Sequence, residues 1–120
     1  MRVPLALYGA VLCLCAAPIL SAQDAVKTDP KHYSVVSEND QVRILKVHYG
    51  PHEKSIMHSH PAGVVVALTD SKVQFTDAAG KKTDMTMKAG EAQATTAGTH
   101  LPENVDDKGM DLILVELKGK

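Results

Sequence analysis

Short apolar or alternating runs, separated by turn residues, recur along this sequence from residue 32 onward. Runs of this length that are bounded by Gly, Pro, Asn and Asp are typical of β-strands. We delimit predicted strands at 32–36, 41–49, 56–60, 63–69, 72–76, 83–87, 92–95 and 110–117. No stretch has a convincing helical period. About eight or nine strands at this spacing favour an all-β fold, an antiparallel jelly-roll sandwich or barrel.

Alternation within two of these runs predicts which side chains are buried. Successive side chains on a strand point to opposite faces. Leu45, Val47 and Tyr49 therefore share one face of their strand, and Met85 and Met87 share one face of theirs. We assign the two methionines to the core. The strand at 41–49 also has Val42 and Ile44 on its other face, so we expect it to be covered on both sides for part of its length.

Three other histidines, His32, His48 and His52, have no sequence context that indicates a metal ligand. Residues 50–53 (Gly-Pro-His-Glu) predict a type II turn, in which His52 takes the position with positive φ. His32 and His48 are expected on the surface.

The first 22 residues differ from the remainder of the chain. Arg2 precedes an almost wholly apolar run at 3–20, which small residues follow, and this order is typical of a secretory signal peptide. We predict cleavage after Ala22. The alternative is a retained membrane anchor, but Pro18 interrupts the run and its length is marginal for a span.

Removal of the signal peptide would leave a processed chain that begins near residue 23. Residues 23–31 are expected to be a polar lead-in, and residues 32–118 the folded domain. Both cysteines, Cys13 and Cys15, lie in the removed segment, so the processed protein has no disulfide and relies on its core. The formal net charge of −1, with both signs interspersed, gives no basic patch for nucleic acid. We expect a periplasmic or secreted protein that leaves the membrane after cleavage.

The clearest chemical signal is a pair of histidines in a His-Ser-His sequence. On a strand, His58 and His60 project to the same side, and His100 on a distant strand could meet them. Neutral imidazoles suit Zn, Cu, Fe and Ni. We predict a metal site formed by these three residues. The alternative is a degenerate site that holds a water network or an organic ligand.

From about residue 32 to residue 118 the chain resembles a small single-domain cupin, a jelly-roll barrel. The cupin motifs comprise a paired His-x-His and, further on, a Gly-rich segment that ends in His and Asn. The matching positions here are His58, His60, Gly90, Gly98, His100 and Asn104. The resemblance implies a barrel interior that can hold a ligand, and a homodimer through edge strands.

Several positions depart from the cupin pattern. The glutamate that would complete the metal site falls on Val64 or Val65, His52 replaces a glycine, and Thr96 replaces a proline. The resemblance therefore implies a three-histidine site rather than a four-ligand one. Its cofactor would be a divalent transition metal (Fe, Zn, Ni, Mn or Cu).

Three functions fit this reading. The first is a metal-dependent oxygenase or isomerase that acts on a small molecule. The second is a non-catalytic module that binds a sugar or another small ligand. The third is metal-free acid–base catalysis by His100, for which the sequence offers no obvious carboxylate partner.

Overall fold

A computed structural model describes residues 23–119, so the predicted signal peptide lies outside the described residues. The elements in this range are α1 (Ala25–Thr28), β1 (Tyr33–Glu38), β2 (Val42–Tyr49), β3 (His58–His60), β4 (Gly63–Ala67), β5 (Ser71–Asp77), β6 (Lys82–Met87), β7 (Ala92–Thr95), β8 (Gly98–Asn104) and β9 (Met110–Leu117). Within this range, α1 is the longest helix and is far too short to cross a bilayer.

The strands form two antiparallel sheets. One has the order β1-β2-β9-β4-β7, and the other has the order β3-β8-β5-β6. Side chains from the first sheet, such as Leu45 and Leu114, share one buried cluster with Val73 and Met87 of the second. The core therefore lies between two facing sheets, as the predicted jelly roll requires.

The buried face of the first sheet follows from strict alternation. β2 and β9 pair along their whole lengths, with Leu45 opposite Leu114, Val47 opposite Leu112 and Tyr49 opposite Met110. All six side chains are buried. The other face of β2 is half-buried at Val42 and Ile44 and exposed at Lys46 and His48, so the strand is covered on both sides for part of its length, as predicted. The core assignments on β6 are confirmed, because Met87 is buried and Met85 packs against the same cluster.

The structure corrects two local expectations. The segment expected to be a loose lead-in contains α1, and Ala25 at its start is fully buried. His32 was expected on the surface but is only 6% exposed. Its ring nitrogens bond the carboxylates of Asp29 and Glu53, and its ring stacks on Tyr49 at 4.2 Å. These partners satisfy the polar atoms that would otherwise make burial costly.

Two other expectations for histidines agree with the structure. His52 has a φ of 56°, as its position in the predicted turn requires. The side chain of His48 is exposed and bonds Asp111 at the surface.

Gly63 allows β4 to approach β9 closely, and this contact makes a stability prediction. A Cβ at residue 63 would overlap the backbone carbonyl oxygen of Val115. Gly63→Ala should therefore force the strands apart and cost about 1–3 kcal/mol of unfolding free energy, as overpacking typically does. Urea denaturation measures the loss. Gly98→Ala is the matched control, because a Cβ there meets no atom within 4 Å. Equal stabilities of the two variants would contradict the close approach.

Candidate metal centre

Strand register brings the three predicted ligand histidines together. β3 pairs antiparallel with β8, so that His58 lies directly opposite His100 and His60 lies opposite Gly98. Directly opposite residues on one face have Cβ atoms about 5 Å apart. His60 is two residues along from His58 and therefore shares its face. A three-residue strand and its partner thus position all three rings.

The rings pack edge to face around a common point. Their centroids are 4.6 Å apart for His58 and His60, 5.1 Å for His58 and His100, and 5.2 Å for His60 and His100. One nitrogen from each ring lies within 4.8 Å of the other two. The ring of His100 is thus close to both members of the pair, as a shared metal would need.

His58 is held by the nitrogen that faces away from the other rings. Its Nδ1–H donates to the backbone carbonyl of Ile56 at 2.7 Å, and Ser55 Oγ lies 3.3 Å from the same nitrogen. In a neutral imidazole the other nitrogen then carries the lone pair. That atom, His58 Nε2, is buried and has no hydrogen-bond partner among the described residues.

His60 is oriented by a buried carboxylate. Its Nδ1–H donates to Glu116 Oε2 at 2.7 Å, and Glu116 is only 2% exposed. Arg43 Nε donates to the other carboxylate oxygen of Glu116 at 2.8 Å, and its guanidinium also pairs with Asp24. A carboxylate that accepts the remote N–H of a histidine fixes the ring and makes its Nε2 a better metal ligand.

His100 is held by packing rather than by hydrogen bonds. Its ring stacks on Phe75, with centroids 4.8 Å apart and planes 19° from parallel. His100 Nε2, like that of His58, is buried without a partner in the described part of the chain. Two buried nitrogens without partners in one cluster require an explanation, and an ion or a water is the usual one.

Burial also keeps two of these rings uncharged. Loss of solvation, together with the neighbouring ring of His60, lowers the pKa of His58 to about 4. Loss of solvation and the rings of His60 and His58 lower the pKa of His100 to about 3. Both side chains are therefore neutral at pH 7, the state that a metal requires of an imidazole.

A cavity of about 630 Å³ lies between the two sheets beside His60 and His100. Its apolar lining side chains include Val47, Val65, Val73, Phe75, Met85, Met110, Leu112 and Leu114, and Gln93 and several threonines add polar groups. Asp84 is the one acidic lining residue in the described range, and neither Lys nor Arg lines the cavity there. This volume and lining suit a small, largely apolar ligand.

Two tyrosines provide hydroxyl groups on the cavity wall next to the histidines. Tyr33 Oη and Tyr49 Oη are 2.7 Å apart, and the ring of Tyr33 packs against His58 with centroids 4.8 Å apart. Burial raises the pKa of Tyr49 to about 12 and that of Tyr33 well above its ordinary value. Both phenols therefore keep their protons at neutral pH.

Other residues singled out by the sequence have clear locations. Val65 is buried and lines the cavity, whereas Val64 does not line it. Gln93 and Tyr49 both line the cavity. Sequence reasoning missed Glu116. Strand alternation could have found it, because Glu116 shares a face with the buried side chains of β9.

The fold can be compared with known structures once this geometry is established. A cupin domain from Bordetella pertussis superposes with a TM-score of 0.67 at 20% identity, over 72% of this chain and 92% of that one. A double-stranded β-helix protein from Klebsiella pneumoniae gives 0.58 at 20% identity, over 73% and 72% of the two chains. An RmlC-like cupin from Methanocaldococcus jannaschii gives 0.57 at 11% identity, over 71% and 77%.

These similarities define the class of fold. The chain has the double-stranded β-helix fold of the cupins, which confirms the jelly-roll prediction and the resemblance to a small cupin domain. No protein-family model matches the sequence, and no curated protein matches it. The site must therefore be interpreted from its own residues, because a fold of this kind supports many functions.

Removing the charge on Glu116 tests the role of this carboxylate. Burial opposes its ionisation, but hydrogen bonds from His60 and Arg43 hold its pKa below the usual value. Glu116→Gln should weaken metal binding by about 10–100-fold, as the loss of a ligand's hydrogen-bonded partner typically does. Competition with a chromophoric chelator measures the affinity. Glu38→Gln, at an exposed position, should leave it unchanged. Equal affinities for the two variants would contradict the role of Glu116.

Proposed function

We propose that His58, His60 and His100 bind one divalent transition metal and that a small molecule binds beside it in the cavity. The observation that carries this proposal is the pair of buried, unpartnered Nε2 atoms of His58 and His100. The Glu116 carboxylate engages Nδ1 of His60, which leaves its Nε2 as the third donor. Three imidazole nitrogens suit Fe, Zn, Ni or Cu, and Mn is also within the proposal.

The metal would act as a Lewis acid that polarises an oxygen of the bound molecule or of water. The chain itself holds the three rings, places apolar side chains around a bound molecule, and provides phenolic protons from Tyr33 and Tyr49. The cupin glutamate would fall on Val64 or Val65, and neither side chain contributes a negative charge. The site should therefore favour a ligand that brings its own anionic or strongly electron-donating oxygen.

The reaction class that fits this arrangement is an oxygenase or isomerase reaction on a small molecule with an apolar body. The cavity supports the apolar body, because in the described range it has no cationic side chain to pair with a phosphate or a polyanion. We further propose that the protein is exported, on the strength of the apolar run within residues 1–22. The mass of protein recovered from the periplasm or medium tests that point, since cleavage after Ala22 removes a defined segment.

A second candidate is a non-catalytic cupin that binds a small ligand. The same cavity favours it, because Asp84 is the one carboxylate on its wall and no carboxylate hydrogen-bonds to His100 among the described residues. A binding module needs no positioned acid or base, whereas an enzyme that transfers protons usually needs one. Ligand binding that persists after the metal is removed would favour this second candidate.

Elemental analysis of the untagged, processed protein tests the proposed metal site. We expect about one transition metal per chain, in line with a single site of three ligands. His58→Ala/His60→Ala should contain none after the same purification. A wild-type protein that contains no metal, and takes up none of the five candidates on dialysis, would refute the proposal.

A further inference from the structure

The first ten described residues cover the outer side of the candidate metal centre. We call Gln23–His32 the strap. The amide of Ser59, between the two histidines of β3, donates to the carbonyl of Gln23 at 2.8 Å, and Asp24 forms a parallel bridge with Ser59. One edge of β3 pairs with β8, and the strap pairs with the other edge. The strand that carries His58 and His60 is thus held on both sides.

One chain of polar contacts leads from the strap to His60. The carboxylate of Asp24 pairs with the guanidinium of Arg43, which in turn binds Glu116. Glu116 accepts the Nδ1–H of His60 at 2.7 Å. The side chains of Arg43 and Asp24 are only 20% and 22% exposed, so solvent weakens these ion pairs less than it would at an open surface.

A second chain leads from the strap to His58. Ser55 Oγ donates to Asp29 Oδ2 at 2.6 Å and lies 3.3 Å from Nδ1 of His58. His32, also in the strap, donates from Nδ1 to the same carboxylate at 2.6 Å. Asp29 is 4% exposed, so its charge is stabilised by these two donors rather than by water.

The third histidine of the centre has no such connection. His100 stacks on Phe75 and lies on β8, which the strap does not pair with. Two of the three rings are therefore contacted, at the nitrogen remote from the metal, by groups that the strap contacts directly or through Arg43. For His60 this group is Glu116, and for His58 it is Ser55, which lies beside the closer Ile56 carbonyl. Loss of the strap would weaken the support of His58 and His60, which would keep their bonds to Ile56 and Glu116, while the packing of His100 would not change.

We propose that the strap is a positioning element whose docking is coupled to metal binding. This inference rests on the proposed metal site. Outer groups that orient histidine ligands typically contribute 10–100-fold to metal affinity. Coupling between two binding events is reciprocal, so the metal must stabilise the docked strap by the factor by which the strap strengthens metal binding.

The first test measures zinc affinity by competition with a chromophoric chelator, using the full chain. Asp24→Asn/Asp29→Asn should bind Zn²⁺ about 10–100-fold more weakly than the wild type. The control variant, Asp40→Asn/Asp107→Asn, makes the same change of charge at two exposed positions and should bind as the wild type does. A purely structural role would lower the melting temperature and leave the zinc affinity unchanged.

The second test needs no variant. The amides of Thr28, Asp29 and Tyr33 donate to carbonyls within the strap, so their hydrogen exchange reports its opening. Zn²⁺ should slow their exchange by about the same 10–100-fold in the wild-type protein. If the double variant fails to fold, this measurement decides alone.

The outcomes separate the two proposals. Zinc uptake with equal affinities in wild type and strap variant, or with strap exchange that zinc does not alter, overturns the coupling and leaves the metal site standing. Absence of zinc uptake and of every other candidate metal in the wild type overturns both.

Discussion

His100→Ala is expected to abolish stoichiometric metal binding, from about one ion per chain to less than about a tenth. Loss of an outer-shell partner costs 10–100-fold in affinity, so loss of a ligand should cost more than about a hundredfold. His100 is the most direct of the three proposed ligands to remove, because Phe75 packing holds its ring and no hydrogen bond to it occurs among the described residues. The fold should survive this substitution. Circular dichroism and elemental analysis of the same preparation check both statements.

His48→Ala is the control for that experiment. His48 is exposed on β2 and pairs with Asp111 at the surface, so its loss should change neither metal content nor stability appreciably. Metal retained at full occupancy in His100→Ala, or lost equally in His48→Ala, would show that the ion does not bind at the three-ring cluster.

The metal-free protein is expected to lose stability steeply as the pH falls from 6.5 toward 4. In the unfolded chain, histidine takes up a proton near pH 6.5. Folded His58 and His100 resist protonation until about pH 4 and about pH 3. The unfolded state therefore binds more protons throughout this window, and the free energy of unfolding decreases as the pH falls. Each ring should contribute a loss on the order of 2 kcal/mol between pH 7 and 5.

The carboxylates of Asp24 and Glu116 affect stability at lower pH than the histidines do. The pKa values of Asp24 and Glu116 are lowered from ordinary values of 3.8 and 4.5, so their stabilising effect is lost only below those values. Urea titrations with a chelator present, at pH 7, 6 and 5, measure the contribution of the rings. His58→Gln/His100→Gln should flatten the pH dependence, whereas His48→Gln should not. A steep dependence that persists in the double variant would assign it to other groups.

Alternation and turn residues predict most of the fold, because both are local properties of the sequence. The alternation of side chains along a strand predicted which residues share a face on β2 and β6, and the position of His52 after a proline predicted the turn. The strand at β8 was not delimited, although His100 was expected on one. It contains Pro102, a residue that reduces strand propensity, and its pairing with β3 and β5 compensates through contacts distant in sequence.

The burial of polar side chains could not be predicted from local sequence patterns. His32 looks like a surface residue until its partners Asp29 and Glu53 are known, and Glu53 is 21 positions away. Glu116 occupies an apolar face by alternation, but its partners His60 and Arg43 lie 56 and 73 positions away. The cluster of His58, His60 and His100 was predicted as a group, because family spacing added long-range information that alternation lacks. That these rings hold a metal stays a prediction.

The contact between Tyr33 and Tyr49 has a consequence for what the cavity can accept. Two hydroxyls joined to each other use one proton in that bond, so the other remains to be donated. A guest that carries an ether, ketone or enolate oxygen could accept it, whereas a pure hydrocarbon would leave it without an acceptor. If a guest binds in this cavity, the pair would favour one that carries an oxygen acceptor near the two hydroxyls over a hydrocarbon of equal size.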